Sequence, residues 1–322
     1  MQAVQFIAPG KGVFVEVPKP EPAPGFALVR TRHVSLCGSD THSILYSSPA
    51  AYPLRPGVSG HEVIGVVEAF NGESNGVQVG QTVLGLITSN SGMADYCEIP
   101  IKNLLPLPQG YPEDHLLQAQ QLGTILYAAQ NMPNLVNQDV AVIGQGSAGL
   151  WWVHTVRRMG ARRVIAVDLQ AHRVQLSKRY GATHTIHNLD IDAEQALLEI
   201  TGGKHADVVV EAAGEIESIN LAIDLVRRYG FIFYFGVPRV GETMPFNMFG
   251  YFRKCLRTQA MVGALNDPDH SCTRVAMELI ASGQANVEPM ITHHFPFDKA
   301  LEAYELQTTR DEGAVKIVVD FD

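Results

Sequence analysis

The sequence predicts an α/β fold of two parts: an irregular β-barrel built from both ends of the chain, with a doubly wound six-stranded parallel sheet between them. Three observations lead there. Residues 1–100 carry short alternating apolar runs broken by Pro and Gly turns, the pattern of half-buried antiparallel strands. From residue 139 to about 262, apolar strand-length runs alternate with helical periods, as a parallel sheet with crossover helices requires. The last sixty residues return to the strand chemistry of the first hundred.

Taken in order, strands are expected at 12–17, 27–34, 62–70 and 82–86, separated by turns such as Pro18-Lys19-Pro20 and Asn71-Gly72. A helical pattern follows at 116–130, and Pro133 breaks it. Residues 140–143 (VAVI) then read as a buried parallel strand. Further on, helices are expected at 147–159, 171–180, 193–200 and 216–229, and strands at 163–167, 183–186, 207–210, 231–235 and 258–262. Helices at 271–282 and 298–307 and a strand at 314–320 close the chain. The expected division is one discontinuous domain of 1–131 with 265–322, and an inserted domain of 132–264.

The turn after residue 143 carries the first chemical signal, Gly144-Gln145-Gly146-Ser147-Ala148-Gly149. In a strand–turn–helix setting, Gly144 permits the tight turn, Gly146 lets backbone approach a pyrophosphate, and Gly149 allows close helix–strand packing. The N–H groups and positive dipole end of the new helix face such phosphates. Asp168 ends the next strand 24 residues after Gly144, near the roughly 20-residue spacing of a ribose-binding carboxylate. Dinucleotide binding is the implied role. Trp151 and Trp152 open the helix, and packing is the expected use of both.

Two polar islands interrupt the β-rich start: Cys37-Gly38-Ser39-Asp40-Thr41-His42 and Ser59-Gly60-His61-Glu62. Cys37 and His61 suit zinc as thiolate and neutral imidazole, although a buried Cys or a lone His also serves as ordinary core. Asp40, His42 and Glu62 beside them favour metal, because such sites need carboxylates to orient the imidazole.

Composition excludes several classes. Net charge is −9, from 24 basic and 33 acidic residues with no basic cluster, which argues against nucleic acid or an anionic membrane as partner. No apolar run is long enough to span a bilayer, and no basic-then-apolar N-terminal segment marks a signal peptide, so the cytoplasm is expected. Four scattered cysteines, at 37, 97, 255 and 272, form neither a disulfide framework nor a Cys-x-x-Cys pair.

These segments together resemble the medium-chain dehydrogenase/reductase superfamily, in its zinc-type polyol, threonine and glucose dehydrogenase branch. The carriers are CGSDTH at 37–42, GHEVIGVV at 60–67, GMADYCEIP at 92–100, VIGQGSAG at 142–149, VIAVD at 164–168, DVVVEAAG at 207–214 and YFGVP at 234–238. The resemblance implies a GroES-like barrel as catalytic domain and a Rossmann domain, with the active site in the cleft between them. It implies Cys37 and His61 as ligands of one catalytic zinc, Asp40 holding His61, and Ser39 and His42 passing a proton outward. Asp168 with Arg173 would favour NAD over NADP. Gly236 and Val237 would lie along the nicotinamide, with Thr124 near that ring.

The sequence departs from the branch at three places, one of them, Gln81 where an Asp often follows the glycine, without functional weight. Its usual Glu third ligand is matched by Gln120, so Glu62 is the alternative that would complete the shell. The four-cysteine lobe that binds a structural zinc is missing, so no second zinc is expected. The implied activity is NAD-dependent oxidation of a secondary alcohol, polyol or sugar by a homodimer or homotetramer. A zinc-free quinone or enone reductase of the same fold, and a non-catalytic dinucleotide-binding sensor, are the competing readings.

Overall fold

The computed structural model describes every residue except 240–242, 262 and 322. The chain forms two compact units, one of residues 1–124 with 264–322 and one of residues 125–263. Among the described residues, no helix is long and apolar enough to cross a membrane.

In the first unit, Gln2–Ala8 and Lys11–Glu16 form a two-stranded antiparallel sheet. A seven-stranded sheet runs, in spatial order, Ile291–Pro296, Lys316–Asp320, Phe26–Ser35, Glu62–Asn71, Thr82–Leu86 and Leu104–Pro106, with Tyr96–Pro100 also paired to Phe26–Ser35. Ile291–Pro296 and Lys316–Asp320 are parallel, and the other pairings are antiparallel. Alternation drives Val29, Val34, Val63 and Ile317 into a core completed by Phe6, Ile99 and Tyr304. Tyr304 meets Phe6 edge-on at 5.1 Å between ring centroids, and its hydroxyl donates to the Ser59 carbonyl at 2.9 Å. The sequence reading lacks the strands 2–8, 96–100, 104–106 and 291–296: the last three depend on partners distant in sequence, whereas 2–8 forms a local hairpin with 11–16.

In the second unit all six strands are parallel, in the order His184–His187, Arg163–Asp168, Asp139–Ile143, Ala206–Glu211, Val226–Tyr234 and Arg257–Ala260. The strand expected at 258–262 is Arg257–Ala260, and Val262 lies outside the described residues. The order reverses between Asp139–Ile143 and Ala206–Glu211, so the Gly-rich turn sits at the switch point where such sheets bind ligands. One face packs Ile165, Val209, Ile223 and Ile232 with the helices Ala193–Thr201 and Ile216–Leu225. On the other face Trp152 is fully buried, with its ring 5.2 Å from Phe233 and 5.4 Å from Phe235. Trp151 packs edge-on against Tyr180 at 5.5 Å. Both tryptophans are therefore core, and truncating one to Ala would cost about 3–5 kcal/mol.

The helix expected at 216–229 stops at Leu225. Val226 turns extended and pairs with Ala206, and Tyr229 adopts a φ of 60° before the ladder resumes at Phe231 opposite Val208. Tertiary pairing overrides the helical periodicity there. The helix expected at 116–130 is two helices, Glu113–Leu117 and Ala119–Ala129.

Candidate active site

In the first unit, Cys37, His61 and Glu62 bring their potential ligand atoms within 4.8 Å of one another. Strand geometry explains part of this convergence. Ser35 ends its strand opposite Glu62, which begins the next, and Val318 of the last strand faces Ser35 from the other side. Cys37 follows two residues after Ser35, at the N-terminus of the helix Gly38–Leu45. A helix N-terminus favours negative charge on a thiol placed there.

Asp40 organises the group. It is fully buried, and its Oδ2 accepts the Cys37 N–H at 2.8 Å while Oδ1 accepts the Gly60 N–H at 3.2 Å. Asp40 Oδ1 also lies 3.3 Å from His61 Nδ1. Tying Nδ1 to a carboxylate fixes the ring and leaves Nε2 for a metal. Burial alone would hold His61 neutral, but the charge and hydrogen bond of Asp40, with Cys37, raise its pKa well above the usual imidazole range. Burial likewise opposes the Cys37 thiolate, yet the hydrogen bond from His61 and the positive charges of Lys316 and His61 win, and the thiol is lowered.

Glu62 is fully buried. Its Oε2 takes the Lys316 ammonium at 2.6 Å and the Ser35 hydroxyl, while Oε1 is buried with no hydrogen-bond partner among the described residues. A buried carboxylate oxygen without a partner is costly unless something else occupies its lone pairs. A thiolate, an oriented imidazole and such a carboxylate form the donor set that a zinc ion takes, so these residues fit a catalytic metal.

The glutamine brought to this cluster is Gln121, whose Nε2 lies 3.6 Å from Cys37 Sγ. Gln120, the position expected from the sequence, gives its backbone carbonyl to the Thr124 hydroxyl at 2.9 Å. Consecutive helical residues point about 100° apart, so one step along the helix decides which amide reaches the thiol. Ser39 is half-buried on the helix Gly38–Leu45. His42 lies three residues further on, 8% exposed, with its ring 5.6 Å from that of Tyr46. Residues three apart share a helix face.

Sequence reading missed Lys316 and Gln121. The one available signal for Lys316 was a lone charge inside the apolar run 314–319. Cys97 sits in its strand with burial pushing its thiol up to about 12, which suits core rather than chemistry.

In the second unit, Gly144 has a φ of 86°, in the left-handed region that favours glycine. A Cβ on Gly149 would stand 1.7 Å from the Gly144 carbonyl oxygen, whereas one on Gly146 would meet nothing nearer than 3.7 Å. Gly149 is thus required for packing, and Gly146 leaves space above the turn. Ser147 and Ala148 open the helix Ser147–Arg158. Gln145 turns inward, its Nε2 donating to the Val142 carbonyl at 2.8 Å. Asp168 ends its strand with Oδ2 accepting the Gln145 N–H at 2.5 Å and Oδ1 the Gln170 N–H at 2.8 Å. Arg173 follows, largely buried, on the helix Ala171–Ser177.

Gly236 and Val237 line an apolar cavity of about 270 Å³ together with Tyr234, Phe235, Met261 and Glu211. Glu211 Oε1 accepts the N–H groups of Ala213 and Gly214 and the Ser218 hydroxyl, and burial pushes its carboxyl pKa up.

Comparison with known proteins agrees with this architecture. Residues 23–109 match the alcohol dehydrogenase GroES-like domain family and residues 148–282 match the zinc-binding dehydrogenase family. An alcohol dehydrogenase from Cupriavidus necator is 25% identical over 99% of this chain and 98% of its own length. An L-threonine 3-dehydrogenase from Pyrococcus horikoshii is 26% identical, over 98% of this chain and 97% of its own. The structure of an alcohol dehydrogenase from Thermus sp. ATN1 superposes with a TM-score of 0.83 at 25% identity, covering all of both chains.

Proposed function

The chain belongs to the zinc-type medium-chain dehydrogenase/reductase superfamily, a GroES-like domain joined to a Rossmann domain, and from that premise we propose a specific reaction. It is a zinc-dependent transfer of a hydride between a secondary alcohol, polyol or sugar and NAD. The observation that carries this reading is the convergence of Cys37, His61 and Glu62, the last with a buried carboxylate oxygen that has no hydrogen-bond partner among the described residues.

Cys37, His61 and Glu62 would hold the metal. Gln121 is better placed to donate its amide N–H to the thiolate than to act as a ligand, which leaves Glu62 to complete the set. A zinc ion held there supplies Lewis acidity to the substrate oxygen. Asp40 keeps His61 in the tautomer that presents Nε2. The Ser39 hydroxyl receives the alcohol proton, and His42, one turn along the same helix, is the next group on its way out.

NAD is favoured by Asp168, whose carboxylate at the end of its strand would accept hydrogen bonds from a ribose diol and repel a 2′-phosphate. The Gly144–Gly149 turn and the N-terminus of Ser147–Arg158 bind the pyrophosphate, with Gly236, Val237 and Thr124 assigned to the nicotinamide.

Metal analysis of the purified protein should give about one zinc per chain, and Cys37→Ala should abolish metal and turnover together, since a catalytic site keeps only about three protein ligands. Turnover surviving Cys37→Ala would refute the zinc mechanism. A panel of polyols, aldoses, amino alcohols and simple secondary alcohols with NAD would identify the substrate class.

A further inference from the structure

Lys316 is fully buried, within a strand whose neighbours Ile317, Val318 and Val319 are also fully buried. Burying an ammonium and a carboxylate together is a poor route to stability, because desolvation consumes most of the attraction. An apolar side chain would complete this strand equally well, so the charge calls for another reason. The Lys316 ammonium lies 2.6 Å from Glu62 Oε2 as an ion pair and makes no hydrogen bond among the described residues. Ser35 donates to the same oxygen. The geometry follows from strand pairing: Ser35 is opposite Glu62 on one side and Val318 on the other, and Lys316 lies two residues from Val318, on the same face of its strand. The Lys316 ion pair and the Ser35 hydroxyl therefore both engage Oε2, and the other oxygen, Oε1, is buried without a hydrogen-bond partner among the described residues, on a side chain that clusters with Cys37 and His61.

We propose that Lys316 is a positioning residue: with Ser35 it clamps Glu62 through Oε2 and presents Oε1 as the carboxylate oxygen that meets a divalent metal held by Cys37 and His61. This rests on the metal reading above. Lys316 touches neither metal nor substrate in this role. It removes the rotational freedom that Glu62 would otherwise lose on metal binding, and it neutralises the carboxylate's second oxygen.

The test is metal affinity, measured by competing the protein against a chromophoric zinc chelator. Lys316→Met should weaken zinc binding about 10-fold or more, the range found when partners of metal ligands are removed. Lys316→Arg, which keeps a cationic donor, should restore binding to within about 3-fold of wild type. In a Glu62→Gln background, adding Lys316→Met should change affinity by less than about 2-fold, because the carboxylate it acts through is gone. If Lys316→Met does not fold, Ser35→Ala, which leaves the ion pair intact and removes the other contact to Oε2, should weaken zinc binding in the same direction, and unchanged binding there also overturns the proposal. Unchanged or tighter zinc binding in Lys316→Met overturns the proposal, as does an undiminished effect of Lys316→Met in the Glu62→Gln background. Wild-type protein that binds no zinc refutes the metal reading itself, and the role of Lys316 with it.

Discussion

His154 provides a test of how the helix after the Gly-rich turn responds to acid. The residue is 9% exposed on Ser147–Arg158, its ring 5.7 Å from Trp151, and its Nε2 has no hydrogen-bond partner among the described residues. Burial, helped by the charge of Arg158, pushes its pKa down from 6.5 to about 4. The unfolded chain therefore binds a proton in a range where the folded one does not. The stability of the neutral form is fully present above pH 6.5 and is lost progressively as pH falls toward 4. A gap of 2.5 pH units corresponds to about 3 kcal/mol at most, of which about 2 kcal/mol is lost by pH 5. His154→Leu removes this contribution while filling similar space. Urea unfolding at pH 7.5 and pH 5, followed by tryptophan fluorescence from the adjacent Trp151 and Trp152, measures it. Wild type should lose about 2 kcal/mol more than the variant between the two pH values, other titrations being common to both. Parallel losses in the two proteins would show that His154 is not held neutral by its surroundings.

Other positions yield sharper functional outcomes. Gly149→Ala drives a Cβ to within 1.7 Å of a backbone oxygen that cannot swing aside, so about 3 kcal/mol or more of stability and most NADH binding should be lost; retained NADH fluorescence enhancement would contradict the packing role. Asp168→Ala should lower the preference for NAD over NADP, read as the ratio of kcat/KM values, by about 10-fold or more; an unchanged ratio would remove Asp168 from cofactor selection. Glu211→Gln replaces a carboxyl whose ionisation burial resists and keeps an acceptor for Ala213, Gly214 and Ser218. Because a raised carboxylate pKa costs stability as pH climbs through it, this variant should match or exceed the wild-type unfolding midpoint at pH 8. A large destabilisation would mean that the ionised form is the one the fold requires.

The parts legible in the sequence were those whose physics is local. The Gly144–Gly149 turn announces itself because one short segment holds strand, turn and helix N-terminus, and each glycine has a separate steric reason. Cys37 and His61 could be named because thiols and imidazoles have few competing uses beside carboxylates. Features set by pairing at a distance could not be read. Lys316 gains its partner through two strand registers, and neither register is encoded near residue 316. The helix 216–229 was overrun because Val226 continues the apolar period of Ile219, Ala222 and Ile223, and only its pairing with Ala206 contradicts that. The choice between Gln120 and Gln121 turns on helix phase, which a one-residue shift in alignment erases.

The first unit is sewn from the two ends of the chain, and this has a consequence for the order in which the protein comes into being. Phe26–Ser35 waits for Lys316–Asp320 to pair along its edge, while all six strands of the second unit lie within one uninterrupted stretch. During synthesis the inserted unit can close before the first unit has its last strands. The Cys37, His61 and Glu62 side chains are made early, yet Glu62 gains its buried cation only when residue 316 has left the ribosome. Until then the nascent chain carries a thiol and an imidazole without the finished pocket around them, so a metal held by the proposed site would be captured late in the life of the molecule.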